Sequence, residues 1–374
     1  SVLLLQKFMM WAMRASQRGL MSSARGALAQ DAARLQEWLE PAVLRRSSPM
    51  ADATNLLKAW SDETQDRKAL TDGALLPAVS SLDDVFVVHE ALEAHPEVST
   101  RFGGVGGYKL GWKDHPLLDD AKLAAMYSPI FRGCFRDRSR SGTPPHVSLS
   151  RHKIFAAEAE YAHVMATSLG PRGQPYTEAE VWRAVGHVEA CIELCGTRTA
   201  MSDLELQPLA DFFLEGISPY QLLADAMLNA LVVRGPVVSA GGAGASGLSE
   251  PPRDLATAKV RLLAEGTEIS SGTGAENPTD SPLGSLTFLV NDLTYRRGRT
   301  LAAGSVVIAG HTCQAAFPGR PSPSSARALP KAAMARVPTP TEPLSLPQAP
   351  PLGPRTLLTA EFAMGATVQV VLLA

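Results

Sequence analysis

The sequence predicts an α+β fold that is rich in strands. Apolar residues make up 45% of the 374-residue chain, which is the share expected of a chain with a normal globular core. Apolar side chains recur at helical spacing in residues 51–70, 82–94 and 283–296. Short apolar segments typical of strands lie at residues 188–194, 259–263, 305–310 and 368–372.

The helices carry start signals that support this reading of the pattern. Ser81 is placed to cap the helix at residues 82–94, because its hydroxyl can accept from the free N–H groups of the first turn. Thr177 can cap a further helix over about residues 178–187, and Glu180, three residues after Thr177, fits the reciprocal position of a capping box. Two helix starts are therefore predicted from local hydrogen bonding alone.

Composition excludes several classes of function. Lys and Arg number 35 and Asp and Glu 37, so no overall positive charge is available to hold nucleic acid. The four cysteines have no CxxC spacing, which argues against a disulfide framework and a structural zinc site and favours a reducing compartment. The longest apolar stretch, Tyr220 to Val233, is interrupted by Gln221, Asp225 and Asn229 and is too short to cross a bilayer. We expect no transmembrane span.

Residues 1–50 differ from the rest of the chain in charge. They contain seven basic and three acidic residues, a net charge of +4, and no acid precedes Asp31. In a helix over residues 2–25 the basic side chains would share one face, a pattern typical of a mitochondrial transit peptide or of a helix on an anionic membrane surface. An ordinary surface helix is the alternative. We expect a mitochondrial protein, in the matrix or on the matrix face of the inner membrane. The basic residues are Lys7, Arg14, Arg18 and Arg25.

Two segments interrupt the predicted fold. Residues 239–253 are rich in Gly, Ala and Ser and end in Pro-Pro-Arg, which is typical of a flexible surface loop. Residues 318–354 contain eleven prolines and favour an extended, polyproline-like conformation. Because a strand pattern follows the prolines, we expect the proline-rich segment to be an insertion within the domain. We therefore expect three parts: an extension over residues 1–50, a helical part over 51–100, and a main domain over 101–374 that contains both insertions.

The candidate chemistry lies in acidic residues. Glu158 and Glu160 are two positions apart, so in a strand their side chains project from one face and can converge on a hard cation. Glu193 stands alone in an apolar run, where burial of its carboxylate is costly unless a metal or another cation compensates it. Three carboxylates suit Mg²⁺ or Mn²⁺. The alternative for Glu158 and Glu160 is the solvated face of an amphipathic strand.

Four segments together resemble the fumarylacetoacetate hydrolase superfamily, and most of all its group of 2-oxopent-4-enoate hydratases and 4-oxalocrotonate decarboxylases. They are residues 106–114 (GGYKLGWKD), 158–164 (EAEYAHV), 190–198 (ACIELCGTR) and 281–311. The resemblance implies a mixed β-roll or sandwich with flanking helices. It also implies a divalent metal, Mg²⁺ or Mn²⁺, held by Glu158, Glu160 and Glu193.

The resemblance further implies a substrate and a reaction. The substrate is a short 2-oxo acid that reacts through an enolate, whose negative charge the metal stabilises. Lys109, in the Gly-x-Lys-x-Gly motif, would bind the substrate carboxylate or relay a proton, and Arg198, after Thr197, would be a second carboxylate clamp. Asp211, in Ala-Asp-Phe where the family has Ala-Asp-Asn, is a further candidate catalytic residue. Without the resemblance, Lys109 and Arg198 would be interpreted as surface cations.

The chain also departs from the family pattern. Trp112 replaces a small or hydroxylated residue and Ser305 an acidic one, so we expect an altered substrate pocket. His163 stands where an aromatic residue is common and is predicted to be a neutral, packed side chain rather than a ligand. Cys191 and Cys195 flank Glu193 and are predicted to be small buried residues.

Two functional hypotheses remain open. The first is a metal-dependent lyase, a hydratase or decarboxylase, or else a C–C hydrolase of the same superfamily such as an acylpyruvate hydrolase. The second is an accessory or scaffold subunit of a mitochondrial assembly such as a respiratory complex, with altered or no activity. The basic N-terminus and the long proline insertion motivate the second hypothesis.

Overall fold

A computed structural model describes most of the chain after residue 48. The described residues are 49–61, 79–111, 124–137, 142–152, 154–196, 198, 219–243, 254–317 and 352–373. Residues Pro49–Ala374 group into one compact unit. The described residues do not include residues 1–48 of the predicted basic extension, residues 62–70 of the predicted helix at 51–70, Trp112, Asp211 or most of both insertions.

Thirteen strands in the described segments form two sheets. The larger sheet has the order β2-β1-β10-β5-β6-β7-β3, and β11 pairs with β5 beside β10. Most neighbouring strands are antiparallel, but β1 with β10 and β3 with β7 are parallel. The strands of this sheet are β1 (Val105–Gly111), β2 (Met126–Phe131), β3 (Phe135–Asp137), β5 (Ile154–Met165), β6 (Val185–Gly196), β7 (Asn229–Ala240), β10 (Val306–Ile308) and β11 (Cys313–Ala316).

The smaller sheet has five strands in the order β4-β13-β12-β8-β9. Its last hairpin, β12–β13, packs across β6 and β7 of the larger sheet. Tyr161 of β5 meets Phe362 of β12 with ring centroids 5.3 Å apart, so the apolar core lies between the two sheets. The strands are β4 (His146–Ser148), β8 (Val260–Ala264), β9 (Thr267–Gly272), β12 (Arg355–Phe362) and β13 (Ala366–Leu373). The predicted mixed α+β architecture is confirmed.

Helices flank the sheets. They are α1 (Pro49–Ser61), α2 (Leu82–Ala94), α3 (Pro96–Phe102), α4 (Leu149–His152), α5 (Glu178–Ala184), α6 (Pro219–Ala224), α7 (Asp254–Thr257) and α8 (Pro282–Asn291), and a π-helical turn (Asp292–Arg296) continues α8. Within the described part of the chain, no helix is both long enough and apolar enough to cross a membrane.

The predicted helix starts are confirmed, and one predicted end is wrong. Ser81 accepts from the backbone N–H of Asp84 at the start of α2. Thr177 and Glu180 form the full capping box of α5. Helix α5 ends at Ala184 rather than near His187, because strand pairing with β5 begins at the next residue and outweighs the helical pattern.

A missing side chain sets the position of β1. A Cβ atom on Gly107 would lie 1.7 Å from the carbonyl oxygen of Val306, so only glycine permits the close parallel pairing of β1 with β10. From the adjacent position Tyr108 accepts a hydrogen bond from Arg299, which also forms an ion pair with Glu93 of α2. These contacts fix β1 where it carries Lys109 into the larger sheet.

Candidate metal centre and active site

Strand register brings the predicted acidic residues together. Glu158 of β5 is paired directly with Glu193 of β6, and Glu160 is paired with Cys191 in the same ladder. Because side chains two positions apart in a strand share a face, these residues project from one side of the sheet. Tyr161, the next residue, points the other way into the core. The predicted strand conformation of the Glu-x-Glu segment is therefore confirmed.

The acidic cluster is mostly removed from solvent. Glu160 and Glu193 are 0% exposed, whereas Glu158 is half-buried. Burial raises the pKa of Glu160 well above its usual range, and the neighbouring charges of Glu193 and Glu158 raise it further. Burial also raises the pKa of Glu193, although Lys109 opposes the change. Three carboxylates in this space need positive charge from another group.

Lys109 supplies part of that positive charge. Its Nζ donates to Oε1 of Glu193 at 2.6 Å and to the carbonyl oxygen of Met227 at 3.1 Å. Burial by itself would lower the pKa of Lys109, but the charge of Glu193 and of the neighbouring acidic groups outweighs burial and raises it. Lys109 is therefore an ammonium ion inside the acidic cluster.

Further donors orient the carboxylates. Asn229 Nδ2 donates to Oε1 of Glu193 at 2.7 Å, and the backbone N–H of Gly310 donates to Oε2 of Glu160 at 3.0 Å. Gly310 has a φ of 101°, which favours glycine, and Asn277 Nδ2 donates to its carbonyl oxygen at 2.6 Å. Glu160 and Glu193 are thus each held through one oxygen.

The other oxygen of each buried carboxylate receives no hydrogen bond from the residues that the structure describes. Oε1 of Glu160 and Oε2 of Glu193 are buried without a hydrogen-bond partner among the described residues. Leaving such an acceptor unpaired costs about 1–3 kcal/mol, and more when the group is charged. A cation could satisfy both, and carboxylate oxygens are the ligands preferred by hard divalent cations. The donor set therefore fits a metal ion.

A thiol lies beside these carboxylates. One ligand atom each of Glu158, Glu193 and Cys195 lies within 4.8 Å of the other two. Cys191, in contrast, donates its Sγ proton to the backbone carbonyl of Glu160 at 3.4 Å. Both cysteines are buried, as predicted, and neither forms a disulfide with another described residue, but Cys195 also lies beside the acidic cluster.

Arg198 lies next to this site with its guanidinium turned inward. Its Nε donates to Oδ1 of Asp225 at 2.5 Å and its Nη2 to the carbonyl oxygen of Asp225 at 2.6 Å. Its Nη1 donates to the carbonyl oxygen of Asn229. Arg198 is 4% exposed, so these contacts make it a brace for residues 225–229. Its predicted role as a substrate clamp remains a prediction, as does that of Asp211.

The segment that Arg198 braces has an unusual backbone. Ala226, Met227 and Leu228 have φ values of 49°, 49° and 66°, a region that side-chain-bearing residues rarely occupy. Such strain persists only where surrounding contacts hold it, and it is concentrated at functional sites. Here it directs the carbonyl oxygen of Met227 to Lys109.

Sequence reasoning missed Asn229 and Asp225 as parts of this site. The signal was present, because both are isolated polar residues in the apolar stretch from Tyr220 to Val233. In the sequence they argue only against a membrane span.

His163 is 0% exposed, and burial lowers its pKa to about 4, which agrees with the prediction of a neutral, packed side chain.

Comparisons with known proteins support the fold. No protein-family model and no curated protein matches the sequence. The structure is similar to that of 4-oxalocrotonate decarboxylase from Pseudomonas putida G7 solved with calcium and acetate, with a TM-score of 0.58 and 17% identity over 87% of this chain and 97% of that chain. The structure of the same enzyme with magnesium and adipate gives the same TM-score of 0.58, identity of 17% and coverage of 87% and 97%.

The sheet order, the flanking helices and this similarity agree with the fold that the sequence motifs implied. Because the identity is 17%, the similarity establishes the fold alone. The chain has a fumarylacetoacetate hydrolase-like fold, similar to that of 4-oxalocrotonate decarboxylase.

Proposed function

We propose that this protein is a divalent-metal-dependent lyase, a hydratase or decarboxylase, that acts on a short 2-oxo acid. The observation that carries the proposal is the buried convergence of Glu160 and Glu193 beside Glu158 and Lys109, with one oxygen of each buried carboxylate unpaired within the described segments. An oxygen-rich cluster with an internal ammonium ion fits a metal together with an anionic ligand.

The similar structures support the class of ligand. 4-Oxalocrotonate decarboxylase was solved with a divalent cation and a carboxylic acid, calcium with acetate in one case and magnesium with adipate in the other. A carboxylic acid that carries a 2-oxo group fits the same combination. The metal would be Mg²⁺ or Mn²⁺ on the chemistry of the three carboxylates alone.

In this proposal Glu158, Glu160 and Glu193 would hold the metal, whose positive charge would stabilise the negative charge that develops on the oxo group. Lys109, held by Glu193 and by the carbonyl oxygen of Met227, would bind the substrate carboxylate or transfer a proton at Nζ.

The neighbouring residues would keep this arrangement in place. Asn229 orients Glu193 through its amide, and Gly310 orients Glu160 through its backbone N–H. Arg198 holds the segment that contains Met227 through its hydrogen bonds to Asp225, and it donates directly to the carbonyl oxygen of Asn229. The burial of the cluster lowers the local dielectric constant and strengthens each of these interactions.

The proposal is tested with Glu158→Gln, because Glu158 is the most exposed carboxylate of the cluster. Mn²⁺ binding by calorimetry and turnover of a panel of short 2-oxo acids should both be lost, while Glu361→Gln, a surface substitution, should leave both unchanged. Wild-type protein that turns over no 2-oxo acid with any divalent cation, or whose turnover is insensitive to a chelator, would reject the proposed activity.

One observation favours the second candidate, an accessory or scaffold subunit. Lys109, Glu160 and Glu193 are between 0% and 4% exposed, and the Lys109–Glu193 ion pair already neutralises part of the cluster. A closed site with an internal ion pair would suit a fold that is retained without activity.

From the charge pattern of residues 1–50 we propose a mitochondrial location. Membership of a larger assembly is the alternative function. Native electrophoresis of solubilised mitochondria separates the two, since a small homo-oligomer would reject the scaffold role.

A further inference from the structure

The acidic cluster contains a potential ligand of a different chemical kind. Cys195 presents its thiol within 4.8 Å of ligand atoms of both Glu158 and Glu193, and those atoms are as close to each other. Mg²⁺ is bound by oxygen ligands, whereas thiolates select softer or borderline cations. The composition of this cluster therefore bears on which metal the site takes.

The strand geometry explains why the thiol reaches the cluster. Cys195 is two positions after Glu193 in β6, so both side chains project from the same face. The pairing partner of Cys195 across β5 is Ala156, whose methyl group is small, and the register with β7 shifts between Leu194 and Cys195. The thiol therefore lies on the face that carries Glu158 and Glu193, beside a small cross-strand neighbour.

A second observation, an unpaired carboxylate oxygen among the described residues, points to a ligand at this cluster. Oε2 of Glu193, which is 0% exposed, has no hydrogen-bond partner in the part of the chain that the structure describes, although Lys109 and Asn229 both donate to Oε1. The unpaired oxygen belongs to the same carboxylate that lies beside the Cys195 thiol. A metal ion bound by the proposed carboxylate ligands together with Cys195 would satisfy it.

We propose that Cys195 is a metal ligand and that the site is a mixed oxygen and sulfur site for a borderline cation such as Zn²⁺ or Co²⁺ in preference to Mg²⁺. On binding, the Cys195 S–H bond breaks, its proton passes to solvent, and a sulfur–metal bond forms. The proposal rests on the metal site of the proposed function and is independent of the 2-oxo acid substrate.

The other cysteines provide matched controls. Cys191 is on the same face of the same strand, but its thiol donates to the carbonyl oxygen of Glu160 and it is outside the three-residue cluster. Cys134 and Cys313 are also buried and reduced. Because these are all the cysteines of the chain, a sulfur–metal bond can be assigned by single substitutions.

The experiment is a titration of the metal-free, reduced full-length protein with Co²⁺, followed by absorption. Wild-type protein and Cys191→Ser should show a sulfur-to-cobalt charge-transfer band in the near ultraviolet, and Cys195→Ser should lack it. In competition, the preference for Zn²⁺ over Mg²⁺ should fall at least about tenfold in Cys195→Ser and not in Cys191→Ser.

The outcomes separate this inference from the proposed function. Co²⁺ binding detected by calorimetry without a charge-transfer band in the wild type would overturn the role of Cys195 and leave the carboxylate site intact. Absence of binding of any divalent cation would overturn the metal site itself. A band that survives in Cys195→Ser would also reject the assignment. If Cys195→Ser fails to fold, Cys195→Ala takes its place. The assignment then requires that the band is present in the wild type, in Cys191→Ser and in Cys313→Ser, and is absent from Cys195→Ala.

Discussion

Glu158 and Glu193 are direct cross-strand partners in the antiparallel pair β5–β6, so two carboxylates face each other across neighbouring strands. Like charges in this position destabilise a sheet. Lys109 offsets part of that repulsion through its 2.6 Å ion pair with Glu193. The position therefore requires positive charge, and the ammonium ion and a bound metal are two ways to provide it.

Replacement of Lys109 should expose this requirement. In Lys109→Met the carboxylate of Glu193 loses its buried partner, so the free energy of unfolding should fall by about 3–5 kcal/mol. Saturating Mn²⁺ should raise the free energy of unfolding of Lys109→Met by more than it raises that of the wild type. Urea denaturation with and without Mn²⁺ measures both effects. Lys259→Met, which removes an exposed ammonium 3.9 Å from Glu268, should change stability little, and equal stability of both variants would contradict the prediction.

Arg198 is expected to act as a structural brace. Lysine cannot reproduce the fork that engages Asp225 and the carbonyl oxygen of Asn229, so Arg198→Lys should lose about 3 kcal/mol of stability and reduce kcat through displacement of Met227 and Asn229. Thermal denaturation and steady-state kinetics test this. A rise in KM with unchanged stability would show instead that Arg198 binds substrate. The exposed Arg261→Lys serves as the control.

Two buried histidines predict acid sensitivity. Burial lowers the pKa of His89 and of His163 from 6.5 to about 4. Since the unfolded chain takes up these protons near pH 6.5 and the folded chain only near pH 4, stability is complete above pH 6.5 and decreases as the pH falls through this window. The loss approaches about 3 kcal/mol for each histidine. Urea denaturation between pH 7 and pH 4 should show that the free energy of unfolding of His163→Leu falls less steeply than that of the wild type. The exposed His146→Leu should follow the wild type.

The capping box of α5 can be tested without disturbing the core. Thr177→Ala removes the hydroxyl that accepts from the backbone N–H of Glu180 and should lower the free energy of unfolding by about 1 kcal/mol. Thr177→Ser keeps the hydroxyl and should remain near the wild type. Equal loss in both variants, measured by urea denaturation, would show that the methyl group rather than the cap matters.

Local features were predictable from the sequence because their causes lie within a few residues. The cap at Ser81, the capping box at Thr177 and the strand character of the Glu-x-Glu segment depend on neighbouring hydrogen-bond donors and on side-chain periodicity. The acidic residues were identifiable in the same way, since an isolated Glu in an apolar run indicates a buried charge that needs compensation. The motif order then indicated the fold.

Only the tertiary structure decided how the site is completed. Strand β10 inserts between β1, to which it is parallel, and β5, to which it is antiparallel. This insertion, the inward turn of Arg198 onto Asp225 and the contact of Asn229 with Glu193 join distant parts of the chain. The position of Cys195 in the cluster depends on the same register. A shift of one residue would turn these side chains to the opposite face, and no local pattern specifies the long-range pairing that prevents it. Sequence alone therefore determined most of the elements and the acidic residues, and the strand order and register of the larger sheet determined their partners.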